Sequence, residues 1–279
     1  MYSVYKGFSK EIYVLAFSKF IVSMGSFISP YLVIILKEKY YFDIATTGII
    51  MTIVGVLYFP GSLLGGILGD KYNAKTNLFI TQCLAGMSFI ISIFFEGIIL
   101  KISCICLSVF FSSMTYSLSD IVIINIADKN NFDKKKIFSL TYLFHNLGFS
   151  IGLYIGSLLL LKNINISFLG DGATTIISAI LILFLVSYDI NKKKEKVIEK
   201  ENIPFLDFFK KNIWIILLLA LFLSLKSYIY FQYKFSLPLF VNDSFGYNNG
   251  VLLYSKMILF NTFSVLFFTF YLYICKKYP

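Results

Sequence analysis

The sequence predicts an all-α integral membrane protein of eight spanning helices, and three observations carry that prediction. The first is composition: 58% of the 279 residues are hydrophobic and 14% are charged, where an ordinary soluble domain carries about 25% charge. The second is segmentation. The apolar residues gather in eight runs, each near the roughly 20 residues that a helix needs to cross a bilayer. The third is where the lysines fall, which is in the loops between runs and mostly in alternate loops.

The runs cover 12–36, 44–68, 77–96, 98–125, 138–161, 170–188, 212–235 and 248–275. Short connections imply that neighbours in sequence are antiparallel. With the N-terminus in the cytoplasm, Lys6, Lys10, Lys71, Lys75, Lys129, Lys134–Lys136, the lysines of 192–211 and Lys276–Lys277 all lie inside. Only Lys37, Lys39, Lys101 and Lys162 lie in loops outside. This is the positive-inside asymmetry, and a missed helix would reverse every later loop. It also accounts for the net charge of +10 without a nucleic-acid-binding face. The first run is too long for a signal-peptide core, and no small-residue cleavage pattern follows it. The expected location is the plasma membrane, multi-pass.

One connection differs from the rest. Residues 189–204 are densely charged and close at Pro204, followed by an amphipathic stretch, Phe205–Lys211, suited to the membrane interface. The chain is therefore expected to divide into a six-helix bundle (1–190), a basic cytoplasmic linker (191–208) and two helices of a second bundle (209–279).

Four cysteines, Cys83, Cys104, Cys106 and Cys275, sit in or beside apolar runs. Cys104 and Cys106 are too close together for a structural zinc site, and inert thiols are expected. A membrane enzyme would need clustered His, Asp or Glu, or an activated serine. There is one histidine and no metal-protease helix, nucleophile-elbow serine or P-loop. No catalytic residue, metal or cofactor is expected.

The loop after the second run reads Gly65-Gly66-Ile67-Leu68-Gly69-Asp70-Lys71-Tyr72-Asn73-Ala74-Lys75. It resembles the signature loop of the major facilitator superfamily, between helices 2 and 3 on the cytoplasmic side. In that loop Gly65, Gly66 and Gly69 are expected to permit close helix approach. Asp70 is expected to accept hydrogen bonds at a helix N-terminus, and Lys71 and Lys75 to supply inside charge. Asn73, in place of the usual glycine, suits a left-handed turn. Ala74 replaces an arginine, which interrupts the family's charge relay.

In the fifth run His145-Asn146-Leu147-Gly148 continues through Gly152 and Gly156. It is similar to a glycine-rich segment of the drug-efflux branch, with Leu153 where that branch has proline. The four-residue spacing of Gly148, Gly152 and Gly156 places them on one packing face. Gln232, the Leu237–Phe240 stretch and Asn261 match the start of the family's second half. The resemblance implies a six-helix N-terminal bundle of the major facilitator type plus the first two helices of a second bundle.

In the family, helices 1, 4, 7 and 10 line a central cavity. Polar residues inside a membrane are costly and mark candidate sites. The first run carries Lys19, Ser23, Ser26 and Ser29 at helical spacing; the fourth carries Ser112, Ser113, Tyr116, Ser119 and Asp120. For the serines, plain interhelical packing is an equal alternative. Asp120 reads as the one acid deep in a run, roughly 12 Å from the cytoplasmic end, and Lys19 lies roughly 10 Å in from the same side. The two are expected to face each other, as a coupling pair or as a structural salt bridge. His145 could carry a proton or hydrogen-bond between helices. Lys226 could reach the cavity or snorkel, and Lys234 and Lys256 are expected to snorkel.

The function implied is secondary transport of a small solute by alternating access, with proton-coupled efflux of drug-like compounds as the substrate class. Solute, lipid and protons would be its partners. The other expectation is a short form ending after the eighth helix: a non-transporting remnant, or one piece of a split transporter that needs a partner chain.

Overall fold

Among the described residues of the computed structural model, 5–187 and 205–277, every long element is a helix. They are α1 (Lys10–Met24), α2 (Ile44–Lys71), α3 (Ala74–Ser92), α4 (Ile98–Asn130), α5 (Lys134–Lys162), α6 (Ile164–Leu185), α7 (Phe205–Lys234), α8 (Ser236–Phe245) and α9 (Tyr247–Lys277). The first run is not one helix. α1 stops at Gly25 and resumes as a tight turn at Ser29–Tyr31, a helical turn at Leu32–Ile34 and a wide turn at Ile35–Lys39.

Six stretches are long and apolar enough to cross a membrane: Lys10–Lys39, Ile44–Lys71, Ile98–Asn130, Lys134–Lys162, Ile164–Leu185 and Asn212–Phe245. The other long helices are α3 and α9. α3 is the shorter, and it buries Thr81, Gln82, Ser88 and Ser92 against its neighbours, so packing rather than lipid contact explains its polarity. The expected linker falls largely in residues outside those described. α7 starts within its last residues, at Phe205, and a non-helical Asn212 separates Phe205–Lys211 from the apolar part.

The connections are cut short by side-chain caps. Asp43 accepts from Thr46 N at 3.3 Å, Asn73 from Thr76 N at 3.1 Å, Asp133 from Lys135 N at 2.9 Å and Asn163 from Asn165 N at 2.8 Å. Each satisfies an amide that the helix leaves free. Asn73 is therefore an extended cap (φ −64°, ψ 105°) and not the left-handed turn residue expected. Among the described non-glycine residues the positive-φ positions are Tyr41 and Asn131, the latter ending α4. Asn163 alone joins α5 to α6. The sixth helix thus begins at Ile164, six residues before the predicted run.

The packing repeats. α1 packs on α5 and α6, α4 packs on α2 and α3, and α3 packs on α6. Adding three to each of the first three helix numbers, and subtracting three from the rest, returns the same set. This is the pattern of two three-helix repeats. Glycines make both halves possible. A Cβ on Gly148 or Gly152 would meet the carbonyl oxygens of Phe20 and Met24 at 2.3 and 2.1 Å. A Cβ on Gly61 or Gly65 would meet those of Phe110 and Met114 at 2.5 and 2.6 Å. Gly156 and Gly69 extend the two ladders against Phe27 and against Ile121 and Leu118. Gly86 and Gly172 each face the other's carbonyl where α3 crosses α6. Gly66 differs from the expectation: a Cβ there meets nothing within 4 Å, because it lies off the ladder face.

Two hydrophobic clusters result. One, around Ile12, Leu15, Leu78, Leu118 and Ile126, sits toward the end that carries Lys71, Lys129 and Lys134–Lys136. The other, around Tyr31, Ile34, Phe168, Leu239 and Tyr254, sits toward the opposite end and ties α8 and α9 to the six helices. α7 meets this cluster near its C-terminal end, where Tyr233 lies beside Tyr254 with ring centroids 6.3 Å apart, while Trp214 and Phe222 are exposed.

The ladders predict a sharp contrast in tolerance. Gly152→Val should cost roughly 3 kcal/mol, because backbone cannot move aside. Gly66→Ala should change stability by less than about 0.5 kcal/mol. Thermal unfolding in detergent checks both.

Candidate functional site

α1 carries polar groups on two sides. Lys19 and Ser23 are one turn apart and share a face. Lys19 Nζ donates to Asp120 Oδ1 of α4 at 2.7 Å. Ser23 Oγ meets His145 Nδ1 of α5 at 2.5 Å. The imidazole stacks on Phe149, with centroids 6.3 Å apart. This stripe therefore ties α1 to α4 and to α5. On its other side Ser18 bonds Ser178 of α6, which also accepts from Gln82 of α3 at 3.4 Å.

The Lys19–Asp120 pair is partly open: the side chains are 19% and 48% exposed. Tyr116, one turn before Asp120, lies beside Tyr58 of α2 with centroids 6.4 Å apart. The pair thus sits under an aromatic wall. A charge pair of this kind can exchange its internal bond for one to a charged solute group or to a proton. A fully exposed pair would hold neither in place, and a fully buried one would be closed to them.

The other expected cavity residues are less convergent. Ser26 donates back to Val22 O at 3.2 Å, and Ser29 is exposed in the break of helix 1. Ser113 and Ser119 are buried in packing and do not line an open face. Asn146 donates to Tyr142 O of its own helix at 2.9 Å. Lys226 is exposed, over the Tyr230 ring. Gln232 accepts from Ser236 at 2.5 Å, and it is exposed, as are Asn261, Lys234 and Lys256. None of these residues bonds to the Lys19–Asp120 pair.

The expected loop is mostly helical: Gly65–Lys71 form the end of α2, and only Tyr72 and Asn73 separate it from α3. Asp70 and Lys71 are exposed there, and no hydrogen bond to Asp70 is formed among the described residues. The adjacent N-terminus of α3 is capped by Asn73. The carbonyl of Leu68 accepts from Asn77 Nδ2 at 3.2 Å. Lys75 is half-buried. Asp70 and Gly66 line an open cleft with Phe59, Ser62, Leu63 and Ile67. Cys83, Cys104 and Cys106 are free thiols.

The end opposite the lysine-rich loops is closed by a polar clasp. Lys37 pairs with Asp243, Asn242 Nδ2 donates to Glu38 Oε1 at 2.8 Å, and Lys39 Nζ lies 4.7 Å from the Tyr247 ring centre. Beneath it Tyr31 meets Tyr254 edge-on and donates to Leu153 O at 2.7 Å. All three clasp contacts join the resumed part of helix 1 to α8 and α9.

The Major Facilitator Superfamily family model matches residues 15–279. The chain belongs to this superfamily of membrane transporters. It is 29% identical over 181 residues to the uncharacterized MFS-type transporter YdeE of Escherichia coli K12, a match covering 62% of this chain and 42% of that protein. The matched part thus spans less than half of that relative's length. The crystal structure of the nucleoside transporter NupG superposes with a TM-score of 0.66 at 17% identity, over 94% of this chain and 67% of that one. Its D323A mutant gives a TM-score of 0.67 at 16% identity, over 96% and 68%. At this identity the likeness is one of fold. The chain is a multi-pass membrane protein of a carrier family.

One buried acid escaped the sequence reading. Asp171 of α6 is 5% exposed and accepts from the amides of Phe27 and Ile28, each at 3.1 Å. Asp120 is therefore not the only deep acid. The predicted run began at Gly170, which put Asp171 at the membrane edge. The capping asparagine Asn163 was the available signal that the helix starts earlier.

Lys19→Met and Asp120→Asn should each destabilise the chain more than the double variant does, with a coupling of about 1 kcal/mol after allowance for solvent screening. A double-mutant cycle on unfolding midpoints measures it.

Proposed function

We propose that the chain forms the first bundle and the opening helices of the second in a secondary transporter that moves a small solute by alternating access. The Lys19–Asp120 pair carries this reading. It joins α1 to α4, the two helices that correspond in the repeat, and it is half-open on its Asp120 side. Rocking of one bundle against another exposes such a site first to one side and then to the other. The lysine-rich end is the cytoplasmic one by the positive-inside asymmetry, and the N-terminus lies there, in the plasma membrane. With the clasp shut at the far end, the arrangement corresponds to a cytoplasm-open state.

The proposed substrates are amphipathic, drug-like compounds, exported in exchange for protons. The aromatic wall of Tyr58 and Tyr116 suits an apolar body, and Asp120 suits a cation or a proton. His145, bonded to Ser23, is the second proton-carrying candidate. The conformational role of Gly65, Gly69, Asp70, Lys71 and Lys75 is part of the same proposal. The last turns of α2 end its glycine ladder and carry charge at the open end.

A second reading is favoured by exposure. α2 presents Ile49, Ile53, Val56, Phe59 and Leu63 away from α4, and most of the described side chains of α7 are exposed, with none fully buried. In this reading the chain transports only with a partner chain that covers these faces.

Proteoliposomes separate the two. With an imposed proton gradient, the chain alone should move a cationic amphipathic dye, and a protonophore should abolish the movement. Asp120→Asn should slow it at least tenfold. Movement that appears only when a second chain is co-reconstituted supports the second reading. Dye movement unaffected by both Asp120→Asn and Lys19→Met removes the pair from the mechanism.

A further inference from the structure

Helix 1 breaks where helix 4, its counterpart in the repeat, does not. The register between the two follows from the glycine ladders. The carbonyls of Phe20 and Met24 face Gly148 and Gly152; those of Phe110 and Met114 face Gly61 and Gly65. Phe27 and Ile28, just past Met24, therefore correspond to Ser117 and Leu118, just past Met114. α4 runs unbroken through Ser117 and Leu118, whereas α1 has ended by Gly25.

The mutual contact of Gly86 and Gly172 sets the register of α3 against α6 in the same way. The residue before Gly172 is Asp171, and the residue before Gly86 is Ala85. One half of the repeat thus has a carboxylate where the other has a methyl group. That carboxylate accepts the two amides released by the break. The Ile28 N–H is directed at Asp171, and the Phe27 N–H is shared with Gly25 O at 2.7 Å. The break is also pressed tightly on α6, since a Cβ on Gly25 would overlap Thr174. Pro30 lies two residues beyond Ile28 and favours a break in this region. Pro30 does not satisfy the amides of Phe27 and Ile28; Asp171 does. Free amides are costly inside a membrane, and helix breaks have identifiable causes of this kind.

What lies beyond the break is the clasp. The segment Ser29–Lys39 supplies Lys37, Glu38 and Lys39, which make all three of its contacts with α8 and α9. The direction in which this segment leaves the break decides whether those contacts form.

We propose that Asp171 is a positioning residue that sets the break in helix 1 and, through it, holds the clasp shut. An acceptor of two backbone amides on α6 fixes where helix 1 turns, and the clasp reads that angle some eleven residues later. The carboxylate touches no solute; it acts through the backbone. The proposal rests on the alternating-access reading only for its meaning in transport, since the state of the break can be measured whether or not a solute moves.

The test uses the full chain with its native cysteines changed to alanine and one of two thiol reporters. The first is Val251→Cys, at a position buried beneath the clasp. The second is Ser62→Cys, at a position in the open cleft beside Gly66 and Asp70. A membrane-impermeant maleimide is applied from each side of sealed vesicles. With Asp171 in place, the reporter at position 251 should stay unlabelled and the reporter at position 62 should label readily. Asp171→Ala, which removes the oxygen that accepts both amides and matches Ala85 in the other half, should raise labelling at position 251 at least fivefold and lower it at position 62. Direct opening of the clasp by Lys37→Ala with Asp243→Ala should do the same.

A rise at both reporters means general loosening and overturns the proposal. No change with Asp171→Ala, while the clasp variant responds, overturns it as well and leaves Pro30 as the cause of the break. Hydrogen exchange on the unmutated chain tests the first link where the variant does not fold. The amides of Phe27 and Ile28 should exchange at least tenfold more slowly than the amide of Ser29, and exchange at equal rates would overturn the proposal. Failure of dye transport with these results intact would count against the transport reading and not against the hinge.

Discussion

The distance at which helix backbones meet is the constraint on which the rest of this molecule depends. In a bilayer, helices gain little from burying apolar side chains, because lipid is equally apolar. Association must come from contact made at short range, and here the glycine ladders supply it. Gly61, Gly65 and Gly69 bring α2 onto α4, and Gly148, Gly152 and Gly156 bring α5 onto α1. Once these two pairs are fixed, the contact of Gly86 with Gly172 joins α3 to α6, and the remaining helices have little freedom of placement. Even the polar stripe depends on it. Ser23 reaches His145 because Gly148 admits the backbone of α1 to the same level.

The interior that results is unusually hydroxylic for an apolar chain. Ser18, Ser178, Thr81, Thr115, Ser108 and Ser157 are buried, and each finds a carbonyl or another hydroxyl. These residues are small, so they serve close packing as glycine does, and they satisfy their own polarity within a turn or across one helix contact. The charged residues are handled differently. Lys19 and Asp120 neutralise each other from separate helices, whereas Asp171 is held, among the described residues, by backbone amides.

Much of this was legible in the sequence, and the reasons are physical. The long apolar helices and the spacing of the α5 glycines follow from run length and helical period. The meeting of Lys19 with Asp120 followed from depth, since two costly charges at one level of a membrane must find each other. Three things were hidden. The break in helix 1 leaves the apolar run intact, so hydropathy cannot show it. Asp171 was lost because polar residues at Asn163 and Asn165 masked the true start of α6. Gly66 was grouped with its neighbours by proximity in sequence, although the ladder period runs Gly61, Gly65, Gly69 and passes it by. The family match and the fold agree with the six-helix reading, while the roles of individual side chains are not written in the pattern.

The chain has no arginine, and the cation of its central pair is accordingly a lysine. A guanidinium would grip the carboxylate with two parallel bonds and give up its charge at no ordinary pH. An ammonium uses one hydrogen on Asp120 and keeps two more on a flexible stem. In the proposed cycle an incoming cationic group binds the half-open Asp120 carboxylate while the flexible stem keeps Lys19 close to it. Within that proposed cycle, exchange at such a site proceeds by handover of the carboxylate from Lys19 to the solute.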